Sequence, residues 1–298
     1  MYAHWRGRFY PRGLATKRWL SYLAERLSTV EVNGTFYSLT RPAACEAWRA
    51  AVPDGFVFAV KGSRYITHML KLRGFRTPLA NFFASGILRL GSSLGPILWQ
   101  LPPQLPFDRA RADEFLSALP EDVPAAERLA RRHDARTTGR SALRAPDGRD
   151  RPLLYALEVR HESWLSEEAL ELLSERDVAL VAADTAGHHP RSLQRTSRRL
   201  AYVRLHGARR LYEGAYTAGE LRFWAGQCRN WAREGAEVFA YFDNDRDAQA
   251  ARDALRLEAL LRGERRAEAV PEERPSAPRP RPGHFDMRAR RSSGSSRS

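Results

Sequence analysis

Ala201-Tyr-Val-Arg-Leu-His206 and Glu237-Val-Phe-Ala-Tyr-Phe242 are two short apolar runs separated by a stretch of helical character. Residues 218–234 follow Thr217, which begins a Thr-x-x-Glu capping box and so marks a helix N-terminus. Gly235 then ends the predicted helix. A strand, a helix and a second strand in this order predict a βαβ unit with two parallel strands.

The same alternation extends outward over most of the chain. Seven apolar runs are rich in β-branched and aromatic residues, as buried parallel strands should be. We predict strands at 29–34, 56–61, 96–101, 153–159, 178–183, 201–206 and 237–242. Capping residues and helical spacing predict helices at about 17–27, 42–51, 79–93, 108–119, 167–175, 218–234 and 246–261. The predicted fold class is therefore α/β, with a parallel sheet.

Composition limits the class of protein. The chain has 298 residues, of which 43% are hydrophobic, and its mean hydropathy of -0.53 is typical of a globular protein. No apolar run reaches the roughly 18 residues of a membrane-spanning helix, and the N-terminus has no signal-like apolar segment. The two cysteines, Cys45 and Cys228, lack the spacing of a disulfide scaffold or a metal site. We expect a cytoplasmic protein with no membrane partner.

The net charge of +14 comes almost entirely from arginine. Much of the excess falls in two stretches that look unpacked, 131–151 and 262–298. A nucleic-acid partner and a merely solvated surface charge both fit this pattern. Residues 263–298 combine prolines, arginines and serines with few apolar side chains, and we predict that they form a disordered tail dispensable for folding.

Polar residues stand at the C-terminal ends of the predicted strands, where parallel α/β proteins build their ligand sites. Residues two apart on a strand share a side, so Glu158 is expected beside Arg160, and Arg204 beside His206. The full set consists of Glu31, Asn33, Lys61, Gln100, Glu158, Arg160, Asp184, Arg204, His206, Asp243 and Asn244, with His68 and Tyr212 in the following loops. This set predicts a polar ligand site at one end of the strands.

A purely structural role is the alternative for these charges. Glu158 with Arg204, or Glu31 with Lys61, would then form ion pairs that plug the centre of the fold. Because desolvation offsets much of the attraction within a buried ion pair, a whole ring of such pairs is difficult to explain as scaffolding. We therefore favour the ligand site.

Several successive motifs resemble the YecE-like family, also called domain of unknown function 72, from about Tyr2 to Leu261. They are Val30-Glu-Val-Asn-Gly-Thr-Phe-Tyr37, Phe56-Val-Phe-Ala-Val-Lys61, Leu98-Trp-Gln-Leu-Pro-Pro103, Leu157-Glu-Val-Arg-His161, Tyr202-Val-Arg-Leu-His-Gly207 and Tyr241-Phe-Asp-Asn-Asp245. The resemblance implies a TIM-type (β/α)₈ barrel over residues 1–262 and no established activity.

Two departures from the family pattern stand out. Members usually begin with a strand that ends in a Gly-Thr-Ser-Gly-Trp-like turn, and that strand is missing here, so that seven of the eight barrel strands are visible. We expect that the DNA upstream of Met1 encodes this strand in frame. Residues 131–152 look longer than the family's shortest loops and are predicted to be a surface insertion.

Two functions remain open. In the first, Lys61, Arg160 and Arg204 bind an anionic ligand of phosphate or nucleotide type, a small molecule or a nucleic acid, while Tyr212 and Tyr216 stack on a ring.

In the second, Glu158, Asp184, His206 and Asp243 hold Mn²⁺, Mg²⁺ or Zn²⁺, as similar residues do in xylose-isomerase-like and endonuclease IV barrels. Glu158, Asp184 and His206 are then the candidate catalytic residues of an isomerase or a phosphodiester hydrolase. The cofactor, the oligomeric state and whether the protein is an enzyme are open.

Overall fold

A computed structural model describes residues 3–263, in which parallel strands alternate with helices. The strands are β1 (Thr29–Val32), β2 (Val57–Lys61), β3 (Leu94–Gln100), β4 (Tyr155–Glu158), β5 (Ala179–Leu180), β6 (Ala182–Asp184), β7 (Leu200–Leu205) and β8 (Glu237–Phe242). The α-helices are α1 (Trp19–Ala24), α2 (Gly34–Tyr37), α3 (Pro42–Ala50), α4 (Arg76–Ala84), α5 (Arg109–Ser117), α6 (Val123–Ala130), α7 (Glu167–Glu175), α8 (Ala218–Arg233) and α9 (Gln249–Leu261). The predicted α/β class is confirmed.

The strands form two parallel sheets that follow one another in the chain. The first has the order β1-β2-β3-β4-β5 and the second the order β6-β7-β8. Only Val181 separates β5 from β6, and its N–H donates to the carbonyl of Leu157 in β4 at 3.0 Å. The predicted strand at 178–183 is thus present in two short pieces, and all seven predicted strands are found.

The strand register brings the polar strand ends to one edge. Gln100 at the end of β3 pairs with Glu158 at the end of β4. Arg204 in β7 lies opposite Ala183 on one side and Tyr241 on the other. Because the parallel strands are in register, the side chains at their C-terminal ends lie at the same level of the sheet.

Alternating residues of the strands meet in one inner cluster. It contains Ala59, Leu98, Ala156, Val181, Ala183, Tyr202, Phe239 and Tyr241, which come from six different strands. Since these side chains touch one another, the sheets curve around them. The opposite sides of β2, β3 and β4 pack against α4 and α5 in the largest apolar cluster.

Capping signals located the helix starts well. The Asp108 and Ser166 side chains accept from the backbone N–H three residues on, and Thr217 forms the predicted capping box with Glu220. Helix α6, capped by Asp122, was not predicted. None of the helices within residues 3–263 combines the length and the apolar character needed to cross a membrane.

The predicted helix at 79–93 is wrong as one element. Helix α4 ends at Ala84, and a separate 3₁₀ helix occupies Ile87–Ser93. Between them Gly86 has a φ of 115°, a left-handed conformation that other residues rarely adopt. A Cβ at this position would lie 2.6 Å from the backbone of Pro42, so the close approach of α3 also requires glycine.

The predicted insertion at 131–152 contains no helix or strand, yet it is anchored to the body. Asn81 donates to Asp134 at 3.1 Å, and the Ala142 N–H donates to the Ala84 carbonyl at 2.8 Å. Whether the segment is an insertion relative to the family remains a prediction. The predicted disordered tail lies outside the described residues, apart from Gly263.

We predict that Gly86→Ala lowers the free energy of unfolding by roughly 1–3 kcal/mol, because of its backbone conformation and the Pro42 clash. Urea unfolding monitored by circular dichroism measures the change. Gly226→Ala, inside α8 with open space around it, is the control and should be neutral or slightly stabilising. Equal stability of the two variants would contradict the argument.

Candidate functional site

A fully buried arginine, Arg204, joins three carboxylates from three strands. Its Nε lies 3.0 Å from Glu31 Oε2 and its Nη2 lies 2.7 Å from Glu31 Oε1. Nη1 donates to Glu158 on β4, and Nη2 also donates to Asp243 just after β8. We call Arg204, Glu31, Glu158 and Asp243 the arginine cluster. Most of the guanidinium's donors are used within it.

The charges of this cluster depend on one another. Burial acts to lower the pKa of Arg204, but Asp243, Glu158 and Glu31 outweigh it and hold that pKa well above its usual range. Burial likewise acts to raise the pKa of Glu158, and the charge of Arg204 holds it well below its usual range. Arg204 and Glu158 are therefore both ionised, and the charge of each favours the charge of the other.

Arg160 extends the cluster towards the open end of the strands. Its Nε and Nη2 both lie 3.2 Å from Glu158 Oε1. The Arg160 side chain keeps 15% of its surface exposed, whereas that of Glu158 keeps 1%. Arg160 also lines a cavity, and Glu158 does not use its Nη1.

His206 is buried between two of the carboxylates. Its Nε2 lies 3.6 Å from Glu158 Oε1, and its Nδ1 lies 3.2 Å from Asp243 Oδ2 in a poor direction for a hydrogen bond. Burial, and then the charge of Arg204, lowers the pKa of His206 to about 3. The ring is therefore neutral at physiological pH, and Tyr212 packs edge-on against it at 5.7 Å.

Lys61 differs from the other cations of the site. It is only 8% exposed, and among the residues described its ammonium forms no ion pair with a carboxylate. Its Nζ lies instead 4.4 Å from the centre of the Phe36 ring. Burial, and then the charge of Arg204, lowers the pKa of Lys61. The pair with Glu31, which belonged to the purely structural alternative, does not form, because both Glu31 oxygens are already bound by Arg204.

His68 lies near the cations at the open, C-terminal end of the strands, which we call the mouth. It lies in a π-helical turn, Tyr65–Met69, with Nδ1 2.8 Å from Thr67 Oγ1. Burial lowers the pKa of His68 to about 4, with further contributions from the charges of Arg160, Arg64 and Lys61. His68 is therefore a neutral ring close to Arg160, Arg64 and Lys61.

Two predicted site residues point away from the cluster. The inner residues around Asp184 are Val181 and Ala183, so Asp184 falls on the outer side of its strand, where it accepts from the Ala186 N–H at 3.4 Å. Burial raises the pKa of Asp184. The alternation of a strand explains the outcome, since residues one apart face opposite sides.

Asn244 is likewise on the opposite side from Asp243. Its Nδ2 donates to the Gly214 carbonyl at 2.7 Å and to Asp253 Oδ2 at 2.9 Å, which ties the end of β8 to α9. Tyr216 is buried too, and its hydroxyl accepts from the Gly207 N–H at 3.0 Å. Neither residue is placed to contact a ligand at the mouth.

The geometry does not favour the predicted metal site. Glu158, His206 and Asp243 converge, but the guanidinium of Arg204 occupies the space between the two carboxylates, and Asp184 is on the other side of the sheet. Across residues 3–263, no group of three or more His, Cys, Asp or Glu side chains is arranged to hold a metal ion. A dication would have to displace Arg204.

Tyr202 is a member of the site that the sequence analysis missed. Its hydroxyl donates to Glu31 Oε2 at 2.7 Å and so fixes the carboxylate that Arg204 also binds. The sequence did contain a signal that could have identified Tyr202 as a site residue. Tyr202 stands two residues before Arg204 and therefore lies on the same side of β7.

A cavity of about 1020 Å³ opens at this end of the strands. Its polar part is lined by Asn33, Lys61, Gln100, Arg160, Tyr212 and the exposed Tyr37. The border of the cavity on the side away from the mouth is formed by Glu31, Arg204, His206 and Asp243. Below them the cavity continues as an apolar slot between β1 and β8. Of the predicted site residues, the structure thus brings all but Asp184 and Asn244 to one mouth.

Comparison with known proteins gives a family and a fold. The family model described as protein of unknown function DUF72 matches residues 1–280. A DUF72 family protein of Thermotoga maritima is 24% identical, with a TM-score of 0.68, and the match covers 88% of this chain and 95% of that chain. A DUF72 family protein of Enterococcus faecalis is 17% identical, with a TM-score of 0.66 and coverages of 88% and 93%. Curated proteins give no match.

We predict that Arg204→Met lowers the free energy of unfolding by about 3–5 kcal/mol, because it leaves three carboxylates buried without their cation. The control is Arg199→Met, which removes an arginine from a half-exposed pair with Asp177 and should cost about 1 kcal/mol or less. Chemical denaturation measures both. Similar losses in the two variants would show that the cluster is not held by Arg204.

The low pKa of His206 predicts that the free energy of unfolding depends on pH. Its folded pKa of about 3 lies below the ordinary value near 6.5, so the unfolded chain takes up the proton first as the pH falls. Stability is then complete above about pH 6.5 and declines below it.

The measurement is urea unfolding at pH 7 and at about pH 5. His206→Gln should reduce the stability lost between these conditions by up to about 2 kcal/mol. His188→Gln, at an exposed position, should leave the loss unchanged. An undiminished loss in His206→Gln would show that His206 titrates normally.

Proposed function

We propose that this chain, which belongs to the DUF72 family of proteins of unknown function, binds a ligand with an anionic group of phosphate or nucleotide type at the C-terminal ends of its strands. The observation that carries the proposal is Lys61. Its ammonium is largely buried, forms no ion pair within the described residues and faces the cavity beside Arg160. A buried charge of this kind is costly unless a partner compensates it.

The neighbouring carboxylates favour the charge of Lys61 and act to raise its pKa, but none of them forms a direct ion pair with its ammonium. Glu31, Glu158 and Asp243 all bind Arg204, and Glu158 binds Arg160 as well. Together with Lys61 the three carboxylates face three cations, so the group is neutral as a whole, and Lys61 is the one of these cations that forms no direct ion pair among the described residues. An anion placed between Lys61 and the free edge of Arg160 would gain two charge-assisted contacts.

Neutral polar groups complete the proposed site. Asn33 and Gln100 line the same part of the cavity and can donate or accept hydrogen bonds. Tyr212 is 44% exposed at the rim, where its ring can stack on a sugar or a base. A small phosphorylated metabolite or a nucleotide satisfies this combination, whereas a neutral ligand would leave Lys61 without a direct ion pair.

We also propose that the fold is a TIM-type (β/α)₈ barrel. Parallel strands in consecutive order within each of the two sheets, an inner cluster drawn from six strands and outer helices support this architecture. The mouth would then correspond to the face on which such barrels carry their sites. Glu31 of β1 and Arg204 of β7 meet across the interior, as the two sides of a closed barrel would.

We predict that Lys61→Met weakens the binding of the best phosphate probe by about tenfold or more, since a charge-assisted contact is lost. The probes are inorganic phosphate, pyrophosphate, AMP and adenosine, and calorimetric titration measures the binding. Lys17→Met, at an exposed position on the N-terminal segment, is the matched control and should bind as the unchanged chain does.

Adenosine tests the anionic requirement directly. If adenosine binds as tightly as AMP, or if Lys61→Met leaves AMP binding unchanged, the proposal is wrong. The stability of the Lys61→Met variant is measured by urea unfolding beside its binding, because the change also removes one of the three cations that balance the three carboxylates. That stability separates a lost contact from a lost fold.

A further inference from the structure

The side chain of Lys61 begins from a backbone that is fixed on both sides. Lys61 is the last residue of β2, and its carbonyl accepts from the Thr35 hydroxyl at 2.7 Å. The next N–H, that of Gly62, donates to the Leu98 carbonyl on β3 at 2.8 Å. The Thr35 hydroxyl also lies 2.9 Å from the Val32 carbonyl, so the end of β1 and the end of β2 are joined. Lys61 therefore enters the cavity from a rigid position.

The surroundings of the Lys61 amine are those of a nucleophile. Its Nζ lies 4.4 Å from the centre of the Phe36 ring, and within residues 3–263 no carboxylate forms an ion pair with it. Burial, and then the charge of Arg204, lowers the pKa of Lys61, so the neutral amine forms more readily than on an exposed lysine. Desolvation beside another cation is an environment in which enzymes use lysine to attack carbonyl groups.

The nearby carboxylates favour a product that keeps the positive charge. Glu31, Glu158 and Asp243 all act to raise the pKa of Lys61, which shows that they favour a cation at its nitrogen. A protonated imine of lysine is a cation, as the ammonium is. The balance of three carboxylates with three cations is therefore unchanged when the amine of Lys61 becomes a protonated imine.

The same cavity offers groups that can bind the rest of a carbonyl compound. Arg160 lines it together with Lys61, and Glu158 does not use the Nη1 of Arg160. Asn33 and Gln100 also line it and can donate hydrogen bonds to hydroxyl or phosphate oxygens. A ligand with a carbonyl group near one end and a phosphate at the other matches this arrangement of an amine and a guanidinium.

We propose that Lys61 is a catalytic nucleophile that forms an imine with a small phosphorylated aldehyde or ketone, whose phosphate binds to Arg160. This inference rests on the proposed function, because it places the phosphate in the same anion site. It goes further by naming the substrate class and a covalent step. Within the three-lysine chain, Lys61 is the residue that combines burial, an aromatic neighbour and access to the cavity.

The covalent step needs no other reactant. The Lys61 ammonium releases one proton to solvent, and the neutral amine adds to the carbonyl carbon while one electron pair of the C=O bond moves to oxygen. That oxygen takes up one proton from the amine nitrogen and one from solvent. The carbon–oxygen bond then breaks and water leaves. The products are water and a protonated imine, so nothing is oxidised or reduced.

Reductive trapping tests the proposal on the full chain. Dihydroxyacetone phosphate is the probe, cyanoborohydride reduces an imine to a stable secondary amine, and peptide mass spectrometry locates the label. The other two lysines, Lys17 and Lys71, are exposed and serve as internal controls. We expect Lys61 to be labelled about tenfold faster or more than either control. Labelling of Lys61 that is no faster than that of Lys17 and Lys71 would overturn the proposal.

A second probe tests the role of the phosphate. Dihydroxyacetone lacks the phosphate and should label Lys61 about tenfold more slowly than dihydroxyacetone phosphate. Arg160→Met should remove this difference, whereas Arg49→Met, at an exposed position on α3, should preserve it. The ratio of the two rates within one variant does not depend on how much of that variant is folded. Equal rates for the two probes in the unchanged chain would show that the substrate class is wrong.

Calorimetric titration of the unchanged chain with inorganic phosphate separates the two proposals. Phosphate binding without selective labelling of Lys61 would refute the imine and leave the anion site in place. Selective labelling without phosphate binding, and at equal rates for both probes, would refute the anion site together with the phosphorylated substrate. Phosphate binding with selective, phosphate-dependent labelling is the result that we expect.

Discussion

The ionised guanidinium of Arg204 is the constraint on which the interior depends. It is fully buried, and it contacts carboxylates from β1, β4 and the end of β8 while standing on β7 itself. Such a group is tolerable only where its partners are fixed within hydrogen-bonding distance. The strands that carry those partners must therefore keep their spacing around the interior. Tyr202 and His206, on the same side of β7, pack within this arrangement.

This arrangement divides the polar strand ends into two layers. In the lower layer, the carboxylates are satisfied by Arg204, so that they are fixed but unavailable as ligands. In the upper layer, Lys61 and the outer edge of Arg160 face the cavity with neutral groups around them. The structural plug and the ligand site were rival explanations of the sequence pattern. Under the proposed function they apply to different residues of one mouth. The same arrangement does not favour the metal site, because Arg204 occupies the position between the carboxylates where a dication would be bound.

Particular residues show why the site was only partly predictable. The strand-end rule placed Glu31, Lys61, Glu158, Arg160, Arg204 and His206 correctly at one mouth. It failed for Asp184 and Asn244, because a strand end supplies residues to both sides and only the exact alternation selects the inner one. The pair of Glu31 with Lys61 looked plausible on neighbouring strands. It does not form, because a bidentate arginine from β7 reaches Glu31 across the interior.

The sequence by itself determined the α/β class, the seven strands, most helix starts and the concentration of polar residues at one end, because each follows from local periodicity or capping. The tertiary structure alone decided which charges meet, since Glu31 and Arg204 are 173 residues apart in the chain. It also decided that Gly86 splits a predicted helix, through the approach of Pro42. The position of Lys61, which forms no ion pair within the described residues, likewise arises from packing between distant segments, which no local pattern encodes.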